Sequence, residues 1–357
     1  MLMPETIVFR VDAAPHIGSG HVRRCLSLAE YFKGSATTCL FVVRPAQNDL
    51  ANDIRSSGFK VQYLPVIDSQ PSFDWQEDAI GTLEIVKKLH VSWLIVDHYG
   101  IDARWHKVLK PEVGSLMVID DLANRPYEAD LLLDQTYGRE MADYRELVPL
   151  HCKLLVGSDY ALLRQAFNKE RSASLARRGA IKKINTVLLT TGGGDDNGFT
   201  LGAVKQFVQT PEGQRPSLKV IFSDSSPDYQ NLCEICETHP GSVKLLTNVN
   251  DMEMHMAECD FAIGSGGTTS WERCCLGLPT ALVVLADNQI FVAKALDAVG
   301  AARVIEHEML STNWILPLIA ELNANMEIYW KMVGSASRLC DGRGAERVFV
   351  EMEKLSA

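Results

Sequence analysis

The chain has 357 residues and a formal net charge of −10 at pH 7, and 46% of its residues are hydrophobic. This length favours two domains, because a single core seldom organises more than about 250–300 residues. The acidic charge argues against a general nucleic-acid surface, and no segment approaches the ~20 apolar residues that span a bilayer. The first residues show no basic segment followed by an apolar one, so we expect a cytoplasmic protein without membrane insertion.

Short apolar segments alternate with longer amphipathic segments in the first half of the chain. The short ones are rich in β-branched residues and predict strands at 6–12, 37–43, 60–64, 92–97, 116–120, 130–133 and 153–156. The longer ones predict helices at 21–33, 46–57, 75–90 and 102–110. Continuous apolar strands separated by helices are typical of a parallel sheet covered on both faces.

A basic stretch without a strand pattern follows at 168–183, which indicates either a linker or an exposed helix with a basic face. The alternation then resumes, with strands predicted at 186–190, 218–222, 243–246, 261–263, 281–285 and 302–305. Helices are predicted at 197–209, 227–238, 251–257, 268–276 and 289–299, and only helical patterns remain after Glu306. We therefore predict an α/β chain with a Rossmann-like domain (1–165), a linker (166–183), a second Rossmann-like domain (184–310) and a helical tail (311–357).

The first strand leads through a glycine-containing loop into a helix. Asp12 ends the strand, Gly18 and Gly20 lie in the loop, and His21 opens the helix. The carboxyl end of such a strand faces the ligand crevice, and glycines allow the backbone to approach a ligand closely. Arg23 occupies the place of the third glycine of a dinucleotide fingerprint, and no acidic residue closes the second strand. A nicotinamide cofactor is therefore disfavoured.

His21 is a candidate general base. The positive end of the helix dipole favours the neutral imidazole, which is the form that accepts a proton. The alternative is a histidine that only binds a loop carbonyl. Asp97, at the end of another strand, either orients His21 or caps the next helix, and Asp120-Asp121 offers the same choice one strand later. Asp12 is a further candidate support for His21.

Two glycine-rich segments predict a phosphate site in the second half. Exposed backbone N–H groups and hydroxyls at such turns bind anions, although the first segment also fits a flexible turn without a ligand. Glu272 follows about one turn into a helix, where it can accept hydrogen bonds from two ribose hydroxyls. The predicted nucleotide residues are Gly192, Gly193, Gly194, Gly266, Gly267, Thr268, Thr269, Glu272, Asn288 and Gln289.

These motifs resemble known nucleotide-sugar enzymes. The segment from Gly264 to Gln289 is similar to the nucleotide-binding half of GT-B proteins, the superfamily of the lipid II-forming UDP-GlcNAc transferase. The N-terminal half resembles the PseG family, the hydrolases of UDP-2,4-diacetamido-2,4,6-trideoxy-β-L-altropyranose in pseudaminic acid biosynthesis. The stretches that carry this likeness are Arg10-x-Asp12, Gly18-x-Gly20-His21-x-x-Arg24, Leu28-Ala29, Asp97-His98-Tyr99-Gly100, Asp120-Asp121, residues 160–164 and 192–195.

The resemblance covers roughly residues 6–305 and implies specific roles. It implies two Rossmann-like domains that face each other across a cleft, with His21 as catalytic base, Glu272 in the nucleotide site, and neither a metal nor a cofactor. By the same resemblance, Arg10, Gly18, Gly20, Arg24, Tyr99 and Arg164 are expected to contact the substrate. The chain is longer than the shortest members of the family, and residues 122–152 carry no motif that we can assign.

The expected activity is hydrolysis of the UDP-sugar at its anomeric C–O bond, with inversion and release of UDP. A GT-B glycosyltransferase would have the same fold and donor site, because function depends on the site and not on the fold. A nucleotide-sugar-binding module without catalysis is the second alternative. The sequence shows none of the apolar, basic clusters that membrane-facing transferases usually carry, which favours the hydrolase.

Overall fold

The structure is a computed structural model that describes residues 5–12, 19–34, 37–45, 50–65, 73–192 and 196–356. The chain forms two compact units: unit 1 contains Met1–Leu163 and Arg343–Ala357, and unit 2 contains Arg164–Gly342. Each unit is built on one parallel sheet with helices, so the predicted pair of Rossmann-like domains is confirmed. None of the helices in these ranges is long and apolar enough to cross a bilayer.

The sheet of unit 1 has seven strands, close to the predicted ranges: β1 (Thr6–Val11), β2 (Thr38–Val43), β3 (Lys60–Tyr63), β4 (Val91–Asp97), β5 (Ser115–Ile119), β6 (Leu131–Asp134) and β7 (Lys153–Val156). Their order in the sheet is β3-β2-β1-β4-β5-β6-β7. The helices that follow the first strands are α1 (Gly20–Ala29), α2 (Ala51–Ser56), α3 (Trp75–Val86) and α4 (Ala103–Leu109). Part of the helix predicted at 46–57 falls on residues 46–49, which lie outside the described ranges.

Strand β4 shows why these apolar segments form a central sheet. Trp93 and Ile95 point into the core on one face, while Leu94 and Val96 point into the core on the other. Successive side chains of a strand alternate between faces, so a continuous apolar run is stable only when both faces are covered. Burial of each such side chain contributes about 1.5–3 kcal/mol. Asp97 is the last residue of the strand, and it lies at the carboxyl end of the sheet, where β4 meets the loop that follows.

Unit 2 repeats this arrangement with six strands: β8 (Thr186–Thr190), β9 (Ser217–Ile221), β10 (Val243–Leu246), β11 (Phe261–Ser265), β12 (Thr280–Val283) and β13 (Ala302–Ile305). Their order is β10-β9-β8-β11-β12-β13. The helices are α5 (Gln165–Gly179), α6 (Phe199–Val208), α7 (Tyr229–Thr238), α8 (Met252–Glu258), α9 (Thr269–Cys275), α10 (Ile290–Ala298), α11 (Ile315–Ala324) and α12 (Met326–Leu339).

Both sheets reverse their strand order at one point. In unit 1 the reversal falls where β1 pairs with β4, and in unit 2 it falls where β8 pairs with β11. At this point the following connections leave toward opposite faces of the sheet, so a crevice opens at the carboxyl ends of the two strands. The strand ends at these two positions are therefore where each unit is expected to bind a ligand.

The stretch expected as a linker at 166–183 is mostly the helix α5, which is part of unit 2. Arg177 is exposed and pairs with Asp260, but two other arginines of this helix point inward. Arg178 is fully buried and donates at 2.7–2.8 Å to the backbone oxygens of Met256, Cys259 and Leu276. Arg171 likewise donates to the backbone oxygens of Cys275, Ser337 and Cys340. These carbonyls lie at the C-terminal ends of α8, α9 and α12, which carry partial negative charge, so the positive residues serve as helix caps.

The C-terminal residues are helical, as predicted for 311–357, but they divide between the two units. Helices α11 and α12 pack into the core of unit 2. The last helix, α13 (Gly344–Ser356), instead packs into unit 1, where Ala345, Val348 and Met352 enter the core. The indole nitrogen of Trp93 also donates to Ser356 Oγ at 2.9 Å. Unit 1 is therefore completed by residues from both ends of the chain.

Candidate active site

His21 lies on the buried face of α1 and contacts the end of β4. Its Nδ1 is 2.5 Å from Asp97 Oδ1, and both side chains are buried. A carboxylate accepts only, so this contact places the imidazole proton on Nδ1 and makes Nε2 the basic nitrogen of the neutral ring. Among the described residues, none hydrogen-bonds Nε2. The geometry is that of a general base with an orienting carboxylate.

Arg24 occupies the next turn of α1 and binds the same carboxylate. Its Nε and Nη2 donate to the two oxygens of Asp97 at 2.6 Å each, and its Nη1 donates to Asp121 Oδ2 at 2.9 Å. Burial would raise the pKa of Asp97, but the guanidinium and His21 hold this pKa well below its usual range. Asp97 therefore stays ionised, and its charge is balanced by Arg24. Arg24 was predicted to contact the substrate, but its described contacts make it a support for Asp97.

Tyr99 lies beside the imidazole. The rings of His21 and Tyr99 are nearly perpendicular, at 87°, with centroids 4.7 Å apart. An edge-to-face contact of this kind restricts rotation of the imidazole. Tyr99 is partly exposed at the carboxyl end of β4, so a substrate contact for its hydroxyl remains our prediction.

Asp12 does not supply the carboxylate beside His21. It directly follows β1 and accepts from the backbone N–H of Arg44 at 2.7 Å and from both terminal nitrogens of Arg10 at 2.7 and 2.8 Å. Burial opposes ionisation, but Arg10 and His98 together hold the pKa of Asp12 well below its usual range. Of the carboxylates that the sequence left open as supports for the base, Asp97 is the one in contact with it.

Arg10 is a structural cation at this position. It has no exposed surface and also donates to Asp78 in α3, from Nε at 3.0 Å and from Nη2 at 2.5 Å. Arg44 Nε and the indole of Trp105 complete the partners of Asp78, each at 2.9 Å. With its guanidinium buried between two carboxylates, Arg10 holds Asp12 in place, whereas the sequence predicted a substrate contact for it.

His98 is the second histidine at the end of β4, and its hydrogen bonds distinguish it from His21. Its Nδ1 accepts from the backbone N–H of Gly100 at 3.0 Å, so the ring proton lies on Nε2. Nε2 lies 3.3 Å from Asp12 Oδ2, to which it donates. Burial lowers the pKa of His98, which keeps the ring neutral. Both nitrogens are engaged, so His21 is the better placed base.

The predicted phosphate segments of unit 2 lie side by side at the point where its strand order reverses. Gly264 in β11 pairs with Thr190 in β8, and Ser265 Oγ donates to the backbone oxygen of Thr191 at 2.8 Å. Gly192 has a φ of +94°, which favours glycine, while Gly193 and Gly194 lie outside the described residues, as does Gly18 in unit 1. Asp196 closes the first loop by accepting from Thr191 Oγ1 and from the backbone N–H of Thr200.

The second glycine-rich segment, which joins β11 to α9, is tightly packed at Gly266 and exposed at Gly267. A side chain at Gly266 would lie 3.1 Å from Gln289 Cβ, whereas one at Gly267 would meet open space. Thr268, Thr269 and Glu272 are partly exposed, and Asn288 is exposed. Gln289 Oε1 accepts from the backbone N–H of Leu285 at 3.0 Å, which fixes the turn after β12. The open glycine is where the backbone of this turn is most accessible to a ligand.

Two further predicted site residues, Arg164 and Gly20, lie outside the two glycine-rich turns of unit 2. Arg164 belongs to unit 2, where it donates to Glu253 Oε2 and to the backbone oxygen of Asn250, each at 2.6 Å. A substrate contact would therefore compete with an existing ion pair. Gly20 is the first residue of α1, and directly precedes His21.

Three side chains were not identified from the sequence. Asp78 and Arg44 complete the support of Arg10 and Asp12, and Arg273 lies beneath the glycine-rich turn of unit 2. The sequence does contain one sign of an acidic partner such as Asp78. Arg10 lies in an otherwise apolar strand, and a buried arginine requires a carboxylate from elsewhere in the chain. The partner itself comes from α3, 68 residues away, and local sequence does not identify it.

Comparison with known proteins confirms the resemblance predicted from the sequence. No protein-family model matches the chain. A UDP-2,4-diacetamido-2,4,6-trideoxy-beta-L-altropyranose hydrolase of Campylobacter jejuni is 26% identical over 263 residues, which are 73% of this chain and 85% of that protein. The spore coat polysaccharide biosynthesis protein SpsG of Bacillus subtilis is 23% identical over 347 residues, 96% of each chain.

Solved structures share the fold. MurG of Acinetobacter baumannii superposes with a TM-score of 0.67 at 14% identity, over 98% of this chain and 100% of that one. UDP-GlcNAc 2-epimerase of Neisseria meningitidis gives a TM-score of 0.64, also at 14% identity, over 99% and 100% of the two chains. At this level of identity the likeness concerns the fold alone, and it confirms the GT-B class predicted from the sequence.

Proposed function

We propose that the protein is an enzyme that hydrolyses UDP-2,4-diacetamido-2,4,6-trideoxy-β-L-altropyranose, or a closely related UDP-sugar, to UDP and the free sugar. The observation that carries the proposal is the buried contact of His21 with Asp97, which leaves Nε2 of the imidazole as the basic nitrogen. The similarity to the C. jejuni hydrolase over 73% of the chain supports the choice of substrate. Fold likeness to MurG and to the epimerase supports a nucleotide-sugar ligand in general terms.

In the proposed reaction, His21 acts on water. Nε2 removes a proton as the water oxygen forms a bond to the anomeric carbon, and the bond between that carbon and the diphosphate oxygen breaks. Asp97 accepts a hydrogen bond from Nδ1–H throughout and stabilises the imidazolium that forms. Attack by a single water opposite the leaving group inverts the anomeric configuration. General base catalysis of this kind contributes roughly 10²–10⁴-fold to the rate.

Unit 2 is proposed to bind the nucleotide. The diphosphate would receive hydrogen bonds from the backbone and hydroxyl groups of the turn that contains Gly267, Thr268 and Thr269. Donors fixed in advance where charge develops stabilise a leaving diphosphate without reorganisation. Glu272 would bind the ribose hydroxyls, as its position in the GT-B motif implies. No metal is assigned a role, in keeping with the metal-independent family that the sequence resembles.

A glycosyltransferase is the second candidate, favoured by the fold that the chain shares with MurG. It would use the same donor and the same base but would transfer the sugar to an acceptor hydroxyl. The two functions differ when no acceptor is present. A hydrolase consumes the donor completely, whereas a transferase releases UDP only slowly, because water is a poor substitute for its acceptor. A binding module without catalysis would bind the donor and convert none of it.

The test is product analysis with purified protein and no acceptor. A panel of UDP-2,4-diacetamido-2,4,6-trideoxy sugars that differ in stereochemistry is incubated in ¹⁸O-water, and the products are analysed by mass spectrometry and NMR. We expect equimolar UDP and free sugar from one member of the panel, with ¹⁸O in the sugar and none in UDP. Label in UDP would place cleavage at phosphorus and overturn the mechanism. Binding of every donor without turnover would overturn the assignment as an enzyme.

A further inference from the structure

The turn between β11 and α9 is held in shape by Arg273. This side chain is buried, at 2% exposure. Its Nη2 donates to the backbone oxygen of Ser265 at 2.6 Å and to Ser270 Oγ at 3.1 Å, and its Nη1 donates to Thr269 Oγ1 at 3.2 Å. One guanidinium thus joins the last residue of the strand to the first residues of the helix. The three residues between them, 266–268, form the tip of the turn.

Gly264 provides the space that the guanidinium occupies. A Cβ at this position would overlap Arg273 Nη1, would lie 3.1 Å from its Cζ, and would lie 2.8 Å from the backbone oxygen of Thr190. Real Cβ atoms do not approach other atoms this closely, so any side chain at 264 would displace the guanidinium or the neighbouring strand. The glycine and the arginine are therefore parts of one arrangement beneath the turn.

The hydrogen-bond partners of Arg273 are all neutral oxygens. In the part of the chain that the structure describes, no aspartate or glutamate lies within ion-pair distance of it. Burial lowers the pKa of Arg273 to about 10, against the opposing influence of the neighbouring Cys274 and Glu272, so the guanidinium still carries its charge at neutral pH. The buried arginines of unit 1 differ in this respect, because Arg10 and Arg24 each bind two carboxylates. A buried cation that no carboxylate binds directly is costly, and that cost falls when an anion binds nearby.

We propose that Arg273 is a positioning residue that shapes the glycine-rich turn and, through a buried charge that no carboxylate binds directly, makes the turn select phosphorylated over unphosphorylated ligands. This inference rests on the proposed function, in which the turn binds the diphosphate of UDP. The anion and the guanidinium act on opposite sides of the turn, so the selection works through the turn and does not require direct contact.

The experiment compares two variants that lose the same hydrogen-bonding fork but differ in charge. Wild type, R273Q and R273K are titrated with UDP and with uridine by calorimetry, and the ratio of the uridine Kd to the UDP Kd measures phosphate selection. We expect R273Q to lower this ratio about tenfold or more, because a unit charge several ångströms away across a partly buried path has that effect. R273K keeps the charge and is expected to retain most of the ratio.

Arg178 provides a matched control. It is also buried in unit 2 and also donates only to neutral oxygens, but these are carbonyls at helix ends and not groups of the turn. R178Q is expected to lower the melting temperature and to leave the ratio unchanged. A general loss of stability would move the ratio in both glutamine variants, whereas loss of charge beneath the turn moves it in R273Q alone.

The outcomes separate this inference from the proposed function. If wild type does not prefer UDP to uridine, the nucleotide site itself is wrong. If wild type does prefer UDP and folded R273Q keeps the same ratio, only the role of Arg273 is overturned. If R273Q does not fold, the neutral R273M takes its place beside R273K: a lower ratio in R273M than in R273K supports the role of the charge, and equal ratios contradict it.

Discussion

Arg24 donates to both oxygens of Asp97, at 2.6 Å each, while Asp97 also binds His21. A bidentate pair of this kind fixes the plane of the carboxylate, and hence the direction of the oxygen that faces the imidazole. It also balances the carboxylate charge, so the imidazole does not lie beside an unpaired anion. The three side chains come from α1 and β4, 73 residues apart, and depend on one another for their position.

Substitution of His21 by asparagine tests the base directly. We expect H21N to lose roughly 10²–10⁴-fold in kcat, because the amide cannot accept a proton from water at neutral pH. The Kd of UDP is expected to stay at its wild-type value, since the proposed nucleotide residues belong to unit 2. Steady-state hydrolysis assays measure kcat, and calorimetry measures the Kd of UDP. H151N, at an exposed histidine of unit 1, is the control, and a wild-type rate in H21N would remove the base from the mechanism.

Asp97 and Asp121 both bind Arg24, but only Asp97 contacts the base. D97N is therefore expected to lower kcat by at least about 100-fold, because the amide can hold the ring in the wrong tautomer. D121N leaves both bonds between Arg24 and Asp97 in place and is expected to cost less than about 10-fold on the same scale. Steady-state kinetics on folded variants gives the comparison, and equal losses in the two variants would contradict the assigned roles.

Asp78 should make stability depend on pH. Burial opposes its ionisation, but Arg10 and Arg44 lower its pKa in the folded protein below the value for the unfolded chain. The folded state then binds fewer protons, so the contribution of Asp78 to the free energy of unfolding is complete above the unfolded pKa, near 4, and is lost as the pH falls below it. Protonation of the carboxyl removes the charge that pairs with the two arginines.

D78N removes this dependence, since an amide does not titrate. We expect it to lower the free energy of unfolding at pH 7 by about 3–5 kcal/mol, as when a buried ion pair is broken, and to flatten the loss of stability between pH 5 and pH 3. Urea unfolding at several pH values measures both effects. The exposed Asp53 offers D53N as the control, expected to follow the wild-type curve. A D78N curve parallel to wild type would show that Asp78 is not the titrating group.

Two glycines of unit 2 should respond in opposite directions to alanine. Gly264 has no room for a methyl group beside Arg273 and the backbone of Thr190, so G264A is expected to lower the melting temperature and weaken UDP binding. Gly202 lies within α6, where a Cβ would meet no atom within 4 Å. G202A is expected to add about 0.4–1 kcal/mol of stability, because it restricts the unfolded chain. Differential scanning calorimetry tests the pair, and stabilisation by G264A would refute the described packing.

Gly344 tests the docking of the last helix. A Cβ there would overlap the backbone of Ala161, which lies in the same unit as α13. G344A should displace this helix and expose the apolar side chains that it covers in unit 1, such as Phe32 and Leu162. Hydrogen exchange would then be faster in α1 and α13 than in wild type, with unit 2 unchanged. Unaltered exchange in both helices would contradict the close approach of the two segments.

The sequence by itself determined the elements and the residues at their ends. Apolar runs such as 93–96 must be covered on both faces, which predicts a parallel sheet, and strands of that sheet end together at one edge. His21, Asp12 and Asp97 could therefore be placed at one rim from periodicity alone. The glycine-rich turn of unit 2 was predicted in the same way, because its residues are contiguous in the chain.

Only the tertiary structure decided how these residues pair. Asp12 and Asp97 lie at the carboxyl ends of neighbouring strands, and local sequence does not distinguish them, but Arg24 binds Asp97 and Arg10 binds Asp12. The basic charge of 168–183 indicated either a linker or an exposed basic helix, yet Arg171 and Arg178 of α5 bind carbonyls of helices some 80–170 residues later. Such partners are widely separated along the chain and meet only when the sheet and its helices have folded. The periodicity of the sequence, which reflects local structure, therefore does not predict these contacts.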